Sequence, residues 1–329
     1  MEYREFGKTK LKISKVGLGF MEIGSTSWKG KVEKSIEIIK AALEVGINFF
    51  DTAEIYGDGK SEQSLGLALR ELKHADNVII ATKVGGFRPT RYFIEKGIIG
   101  SIRRLGIKPT LLQLHWPPPS WIPLCETIKG LEKMIDKGFV DYIGVSNFSG
   151  KLLSKALHCT KKYEIISDQI EYNLVYRTPE IDLIPLAQKE RIEIIAYSPL
   201  AKGALAGIKK PTAIAQRFDG KFKKIIEDKE LFGVIEKISQ EKNVKKSQIA
   251  LVWLINKNSL PIPGTRNSER VFDFADSVNI YLDSKELNLL DKVSYRYITI
   301  WGNEYSNLKS LRYVPCVLQY IGIKAIGGV

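Results

Sequence analysis

The sequence predicts an α/β fold, a (β/α)8 TIM barrel, on two observations. Eight short apolar runs recur along the 329 residues, and segments with the period of an amphipathic helix separate them. Several runs are apolar on consecutive positions, which is typical of parallel strands covered on both faces. Strands alternating with helices form a parallel sheet with right-handed crossovers, and eight such units favour a closed barrel. The alternative is a doubly wound sheet, but no G-x-G-x-x-G follows any predicted strand.

The predicted elements follow one another in a regular order. Each predicted strand is a short apolar run, at residues 16–20, 48–51, 78–83, 111–116, 142–147, 165–172, 192–198 and 260–264. The predicted helices have apolar residues at helical spacing, such as Ile36, Ile39 and Leu43 in the first. They cover residues 32–45, 61–69, 90–105, 124–137, 149–157, 180–189, two segments within 229–255, and 268–275.

The segments outside this repeat carry separate predictions. Residues 3–13 predict a two-stranded hairpin around Gly7 and Lys8 that caps one end of the barrel. Residues 201–229 are Gly-rich and basic without a clear period, and a long loop in a compact domain is usually functional or mobile. Residues 284–296 predict an extra helix. We expect one barrel domain over residues 1–329, with residues 297–329 as a C-terminal extension whose structure the sequence does not indicate.

Composition excludes several classes of protein. No run of about 20 apolar residues is present, so we expect no membrane span, and the charged start does not resemble a signal peptide. Cys125, Cys159 and Cys316 are odd in number and lack C-x-x-C spacing. This pattern argues against a disulfide framework and against a structural zinc site, and it indicates a reducing, cytoplasmic location.

The formal net charge of +13 indicates an anionic partner, which is a nucleic acid, a membrane surface or a phosphorylated ligand. The lysines are spread along the chain in pairs such as Lys209 and Lys210, and no basic run is interleaved with aromatic residues. We therefore expect neither a nucleic acid nor a membrane as partner, and we expect the positive field to attract a phosphorylated cofactor. The oligomeric state has no signature in the sequence.

Polar residues follow three neighbouring predicted strands at the end where barrels carry their chemistry. Asp51 ends the second strand, Tyr56 lies in the loop after it, Lys83 ends the third, and His115 ends the fourth. A neighbouring ammonium favours the phenolate, so we expect Lys83 to lower the pKa of Tyr56. Such a Tyr can act as a general acid toward a carbonyl oxygen while a neutral His orients it. None of the four residues supplies a reductant, so a cofactor is required.

Each residue has a structural alternative when it is taken alone. Asp51 can cap a turn, Tyr56 can be an ordinary loop aromatic, and His115 can be a satisfied core histidine. Lys83 can form a purely structural ion pair with Asp51, or act as the Schiff-base lysine of an isomerase or aldolase. A metal site is not expected, because no H-E-x-x-H or similar spacing occurs. Their joint occurrence at consecutive strand ends favours the catalytic interpretation.

An ordered set of motifs resembles the aldo-keto reductase superfamily over roughly residues 3–275. The set comprises GLGFMEIG, FFDTAEIYGDGKSEQSLGLAL, TKVG, LLQLHWPPP, KGFVDYIGVSNFS, YSPLAKGAL and PIPGTRN. The resemblance implies a (β/α)8 barrel that reduces a small carbonyl substrate with NADPH. It implies that Tyr56 is the proton donor, that Lys83 and Asp51 tune it, and that His115 orients the substrate carbonyl.

The same resemblance implies a cofactor site along the barrel mouth. Ser146, Asn147 and Gln169 match positions that hold the nicotinamide amide, and Tyr197 matches the aromatic that stacks on its ring. Further matching positions are Met21, Asp51, Ser198, Leu200, Gly203, Leu205, Gly264, Thr265, Arg266 and Arg270, of which the two arginines are candidates for the 2′-phosphate. Asp273 and Phe274 stand where the family usually has Glu and Asn, which places the adenine contact in question.

The substrate and the exact activity stay open at this point. Trp28 and Trp116 are candidates, with Tyr56, for the wall of the substrate pocket, although both tryptophans fit ordinary packing equally well. The leading hypothesis is an enzyme that reduces an aldehyde or ketone to the alcohol with NADPH. The alternative is an NADPH-binding sensor that resembles the potassium-channel β subunits of the same superfamily.

Overall fold

The computed structural model describes residues 1–23, 34–74, 78–217, 219–301 and 309–325. An antiparallel hairpin comes first, with β1 (Tyr3–Glu5) paired to β2 (Lys12–Ser14). Its turn contains Gly7, with φ at +56°, where a Cβ would lie 2.8 Å from the carbonyl oxygen of Arg191. Only glycine allows this approach, which brings the hairpin against the chain that leads into a barrel strand.

Eight parallel strands form a barrel within the described residues, and each pairs with its neighbours in chain order. The amide of Gly17 donates to the carbonyl of Pro261 in the last strand at 3.0 Å, and a parallel bridge joins Gly19 in the first strand to Gly264 just beyond the last. These contacts close the sheet. This arrangement confirms the predicted (β/α)8 barrel and the hairpin beside it. The strands are β3 (Leu18–Gly19), β4 (Phe49–Asp51), β5 (Ile79–Val84), β6 (Leu111–Leu114), β7 (Tyr142–Ser146), β8 (Ile165–Glu171), β9 (Glu193–Tyr197) and β10 (Ser259–Pro261).

Helices connect the strands and surround the barrel. Local signals fix several of their ends: Ser149 caps α5 by accepting from the amide of Leu152, and Gly106, with φ at +64°, ends α3. The helices are α1 (Ser35–Glu44), α2 (Lys60–Glu71), α3 (Arg91–Leu105), α4 (Leu124–Asp136), α5 (Gly150–Cys159), α6 (Leu183–Glu190), α7 (Ile214–Arg217), α8 (Gly220–Ile226), α9 (Lys229–Glu241), α10 (Lys246–Asn256), α11 (Glu269–Asp276), α12 (Ser284–Ser294) and α13 (Cys316–Ala325).

The segment after β9 is more regular than the sequence indicated. It contains a 3-10 turn (Ala201–Ala206) and the short helices α7 and α8. Asp219 caps α8 by accepting hydrogen bonds from the amides of Lys221 and Phe222, at 2.9 and 3.3 Å. These elements are too short to show a helical period in the sequence, which is why the segment was expected to be an irregular loop.

Inward-facing side chains form an apolar layer below a polar one. Phe49, Ile79, Leu111 and Ile195 belong to one buried apolar cluster within the lower barrel. Because alternate residues of a strand face the same side, the inward positions that follow them carry polar groups. Those positions include Asp51, Lys83, Gln113 and Tyr197. The barrel interior therefore has an apolar layer and, next to it, a polar floor at its carboxyl end.

Two cysteines form a disulfide, so the expectation that the chain has none is wrong. Cys125 at the start of α4 is bonded to Cys159, the last residue of α5, with 4.8 Å between their Cα atoms. The two lie 34 residues apart, and only the packing of neighbouring helices brings them together. Cys316 carries the remaining thiol of the chain. The inference of a reducing compartment from cysteine usage consequently loses its support.

The C-terminal extension has structure that the sequence did not indicate. A 3-10 turn (Lys309–Tyr313) precedes α13, and both lie across the mouth of the barrel. The backbone amide of Ser120 donates to the carbonyl of Arg312 at 2.8 Å, which joins this extension to the loop after β6. Across the ranges given above, no helix is both long enough and apolar enough to span a membrane.

Candidate active site

Four polar side chains meet at the carboxyl ends of β4, β5 and β6. Nζ of Lys83 lies 2.6 Å from Oδ2 of Asp51 and 3.2 Å from Oη of Tyr56. Oη of Tyr56 lies 3.5 Å from Nε2 of His115. Tyr56 reaches this position because the chain turns back after β4 in a 3-10 turn (Tyr56–Gly59). The structure thus brings together the four residues that the sequence singled out.

Asp51 has further partners that hold its carboxylate. Oδ1 accepts from Nε2 of Gln169 at 2.7 Å and from Nε2 of Gln113 at 3.4 Å, while Lys83 also donates to the carbonyl of Thr52 at 2.8 Å. Gln113 was not predicted as a site residue. The signal that was overlooked is its spacing, because it lies two residues before His115 and on the same side of β6.

Burial dominates the protonation of the cluster. It raises the pKa of Tyr56 well above its ordinary value, and the charge of Asp51 adds to the effect. The expectation that Lys83 lowers this pKa is therefore wrong for the enclosed site, because the cost of burying a phenolate exceeds the attraction of the ammonium. Burial, aided by Lys83, also holds the pKa of His115 well below its ordinary value. At neutral pH, Tyr56 carries its proton and His115 is uncharged.

Lys83 and Asp51 are a buried ion pair with opposing effects. Burial raises the pKa of Asp51 and lowers that of Lys83, and the charge of each partner opposes the shift of the other. Their 2.6 Å contact and the amide donors on Asp51 favour the charged forms. The pair thereby presents an ammonium hydrogen to the oxygen of Tyr56.

A network of hydrogen bonds next to the cluster holds the side chains of the candidate amide-binding residues in place. Oη of Tyr197 donates to Oδ1 of Asn147 at 2.9 Å, and Nδ2 of Asn147 donates to the carbonyl oxygen of His115 at 2.9 Å. Oγ of Ser146 donates to the carbonyl of Gln169 at 2.8 Å. Asn147 has φ at +61°, a conformation that asparagine tolerates better than most residues. This network connects the carboxyl ends of β6, β7, β8 and β9.

A cavity of about 920 Å³ extends from Tyr56 and His115 along this hydrogen-bond network toward the start of α11. A volume of this order is large for a small-molecule site. It continues beside the segment after β9, where Lys202 pairs with Asp219 at 2.6 Å. The candidate cofactor residues that line it are Met21, Asp51, Ser146, Asn147, Gln169, Tyr197, Ser198, Leu200, Gly203, Gly264, Arg266 and Arg270.

Two predicted cofactor residues lie elsewhere. Leu205 is fully buried in the main hydrophobic core, and Oγ1 of Thr265 donates to the carbonyl of Asn267 at 2.9 Å. Neither of them is among the residues that line the cavity. Trp28, predicted for the substrate pocket, lies outside the described residues.

The far end of the cavity carries two guanidinium groups. It also carries an acid, Glu22, which the sequence did not indicate as a site residue. Arg266 and Arg270 line it with Glu22, whose Oε2 lies 3.4 Å from Nε of Arg266. Phe274 also borders this end, but its side chain is almost fully buried in a hydrophobic cluster. Asp273 forms an ion pair with Lys245 at 2.7 Å. This end therefore offers cationic groups for an anion.

The end of the cavity beyond Tyr56 and His115 is apolar. Its wall includes Ile55, Trp116, Leu311 and Ile323, of which the last two belong to the C-terminal extension. The Nε1–H of Trp116 donates to Oε1 of Gln319 in α13 at 2.9 Å. The sequence indicated Trp116 as a wall residue, but it gave no sign that the extension completes this wall.

The chain and its fold have clear relatives. The model of the Aldo/keto reductase family matches residues 15–295. The uncharacterized oxidoreductase YrpG of Bacillus subtilis is 32% identical, covering 89% of this chain and 96% of that protein. The putative aryl-alcohol dehydrogenase AAD16 of Saccharomyces cerevisiae is 28% identical, with coverages of 87% and 95%. An aldo-keto reductase from Klebsiella pneumoniae, solved with NADPH, has a TM-score of 0.75 at 26% identity, with coverages of 92% and 97%.

The chain belongs to the aldo/keto reductase family, as the motifs implied. Its relatives are oxidoreductases, and the chain is accordingly an NAD(P)H-dependent oxidoreductase. The cavity described above fits such a dinucleotide, because it joins a hydrogen-bonded network of amide and hydroxyl side chains to a cationic end. The family does not by itself identify the substrate, the proton donor or the residues that hold the cofactor.

Proposed function

We propose that this enzyme reduces an apolar aldehyde or ketone to the alcohol with NADPH, and that Tyr56 is the general acid. The observation that carries the proposal is the position of Oη of Tyr56, 3.2 Å from the Lys83 ammonium and 3.5 Å from the His115 ring, where it lines the large cavity. When bound, NADPH supplies the hydride. A proton from the protein is then needed at the carbonyl oxygen.

Tyr56 is suited to deliver that proton. Burial raises the pKa of its phenol, so the side chain is protonated over the physiological range. As the proton leaves, the ammonium of Lys83 stabilises the phenolate that develops, and this interaction is stronger in the transition state than in the ground state. Asp51 keeps Lys83 charged and aimed at Tyr56, and Gln169 holds Asp51.

His115 orients the substrate in this proposal. Its pKa is depressed, so the ring is neutral and does not compete with Tyr56 as an acid. A neutral ring with hydrogen on Nε2 donates to the same oxygen that Tyr56 protonates. Nδ1 has no hydrogen-bond partner in the described residues, and the hydrogen bond from Asn147 to the backbone of His115 fixes the position of the residue.

Two features support the choice of cofactor and of substrate class. Arg266 and Arg270 at the far end of the cavity suit a 2′-phosphate, because guanidinium groups bind phosphate through several charge-assisted hydrogen bonds. The Klebsiella relative was solved with NADPH. At the other end, the apolar wall of Ile55, Trp116 and Leu311 favours a hydrophobic substrate, in keeping with the aryl-alcohol name of the yeast relative.

The decisive variant is Tyr56→Phe, which removes only the hydroxyl group. We expect kcat for benzaldehyde reduction to fall by about 10²–10⁴-fold, the usual contribution of a general acid. The Kd for NADPH, followed by fluorescence titration, should change by less than about twofold, since the candidate amide-binding residues are not altered. Tyr92→Phe, at an exposed position of α3, is the matched control. Full activity in Tyr56→Phe would refute the assigned role.

A further inference from the structure

Glu22 occupies an unexpected place for an acid. It lies in the loop after β3, and its side chain is only 19% exposed at the cationic end of the cavity. Oε2 lies 3.4 Å from Nε of Arg266. Oε1 is so close to Gly264 that a Cβ on this glycine would approach it to 3.1 Å. The carboxylate therefore fills space between the loop after β10 and the guanidinium of Arg266.

The charges around Glu22 do not fully offset its burial. Arg266 and Arg270 both stabilise the carboxylate, but burial has the larger effect and raises the pKa of Glu22. The acid thus depends on the two arginines that the proposed function assigns to the 2′-phosphate. Any further anion that binds at this end of the cavity interacts with the same two cations and lies close to the carboxylate of Glu22.

We propose that Glu22 is a specificity residue that competes with the 2′-phosphate for Arg266. The inference rests on the proposed function, in which Arg266 and Arg270 receive that phosphate. The carboxylate holds the guanidinium in place through this contact. When the phosphate binds, the guanidinium has to be shared or released, and the two anions repel one another. Glu22 thereby weakens the binding of NADP(H) relative to NAD(H), which lacks the phosphate.

A matched acid separates this role from a general effect of charge. Asp276, the last residue of α11, is exposed and is not among the residues that line the cavity. Its removal changes the net charge by the same amount in the same region. A long-range effect would make both acids equivalent, whereas competition for Arg266 concerns Glu22 alone.

The test compares the dissociation constants of NADP⁺ and NAD⁺ for the full-length protein by calorimetry. For Glu22→Gln we expect the Kd of NADP⁺ to fall about tenfold, which corresponds to about 1.4 kcal/mol. The Kd of NAD⁺ should change by less than about twofold, and Asp276→Asn should leave both constants within about twofold. In the Arg266→Gln background, the gain from Glu22→Gln should shrink to less than about threefold, because the contested group is absent.

Several outcomes would overturn the proposal. Unchanged or weaker NADP⁺ binding in Glu22→Gln would mean that the acid only orders the site. An equal gain for NAD⁺ would mean that it acts elsewhere on the dinucleotide. Glu22→Ala serves as the second variant if the glutamine variant does not fold, and the same expectations apply. If the wild-type protein binds neither dinucleotide, the proposed function fails. If it binds NADP⁺ but Glu22→Gln shows no gain, only this inference fails.

Discussion

Two buried aspartates of the same barrel show how differently one type of residue behaves. Asp51 is stabilised by the ammonium of Lys83 and by the amide of Gln169. Asp168 on β8 is fully buried, and neither of its carboxyl oxygens has a hydrogen-bond partner in the described residues. The amide of Phe148 interacts with it without meeting hydrogen-bond geometry. Burial consequently raises the pKa of Asp168 well above its ordinary value.

This shift makes stability depend on pH with a definite sign. Below about pH 4, Asp168 is protonated in both the folded and the unfolded chain and has no effect. As the pH rises, the unfolded chain ionises first while the folded chain keeps the proton, so Asp168 increasingly destabilises the fold. We expect Asp168→Asn to raise the melting temperature by several degrees near pH 8 and to change it little near pH 4.

The control for this experiment is Asp276→Asn, at an exposed position at the end of α11. Its effect on the melting temperature should be small, because an exposed carboxylate stays hydrated in both states. Thermal unfolding of the three proteins at about pH 4, 6 and 8 gives the comparison. A pH-independent difference between Asp168→Asn and the wild type would contradict the assigned cause.

At the scale of elements, the disulfide joins two helices that the barrel already places side by side. α4 and α5 follow consecutive strands and contact each other along their length. Cys125 is exposed at one end of this contact and Cys159 is buried. A cross-link that closes a loop of 34 residues restricts the unfolded chain more than the folded one. Its effect is expected mainly on stability, since neither cysteine lines the cavity.

The double substitution Cys125→Ser, Cys159→Ser should lower the free energy of unfolding by about 4 kcal/mol on the chain-entropy estimate. Denaturant unfolding with and without dithiothreitol measures this directly. The wild type should lose stability on reduction, and the double variant should not respond. Cys316→Ser is the matched control and should keep the full response to the reductant. Insensitivity of the wild type would show that the bond adds nothing to stability.

At the scale of the whole molecule, the C-terminal extension completes the mouth of the barrel. Gln319 is almost fully buried, accepts from Trp116 at 2.9 Å, and donates to the carbonyls of Leu311 and Val314 at 2.8 and 2.9 Å. An ion pair between Lys324 and Asp58 attaches the same helix to the turn that begins with Tyr56. The last helix of the chain is thus joined to two of the loops around the proposed catalytic cluster.

Loss of this attachment should act on the substrate and spare the cofactor. Gln319→Ala leaves the indole N–H of Trp116 without its partner and frees two carbonyls, a change that typically costs about 1–3 kcal/mol per buried group. We expect KM for benzaldehyde to rise about tenfold, while the Kd for NADPH stays within about twofold. Gln188→Ala, at an exposed position of α6, is the control. An unchanged KM would show that the extension does not shape the substrate site.

Local signals in the sequence predict the barrel and the cluster of polar side chains at its carboxyl end. Strand period, helix period and motif order are local signals, and the carboxyl ends of parallel strands meet at one edge whatever the details of packing. The predicted grouping of Asp51, Lys83 and His115, with Tyr56 beside them, is therefore found in the structure.

The contacts between distant segments became visible in the folded structure alone. The Cys125–Cys159 bond, the pair of Glu22 with Arg266, and the contact of Trp116 with Gln319 join residues that no local pattern relates. The raised pKa of Tyr56 is likewise a property of the folded structure, because it depends on how completely neighbouring elements exclude water from the phenol. Burial and long-range contact are properties of the assembled chain, whereas period and turn chemistry are already present in its segments.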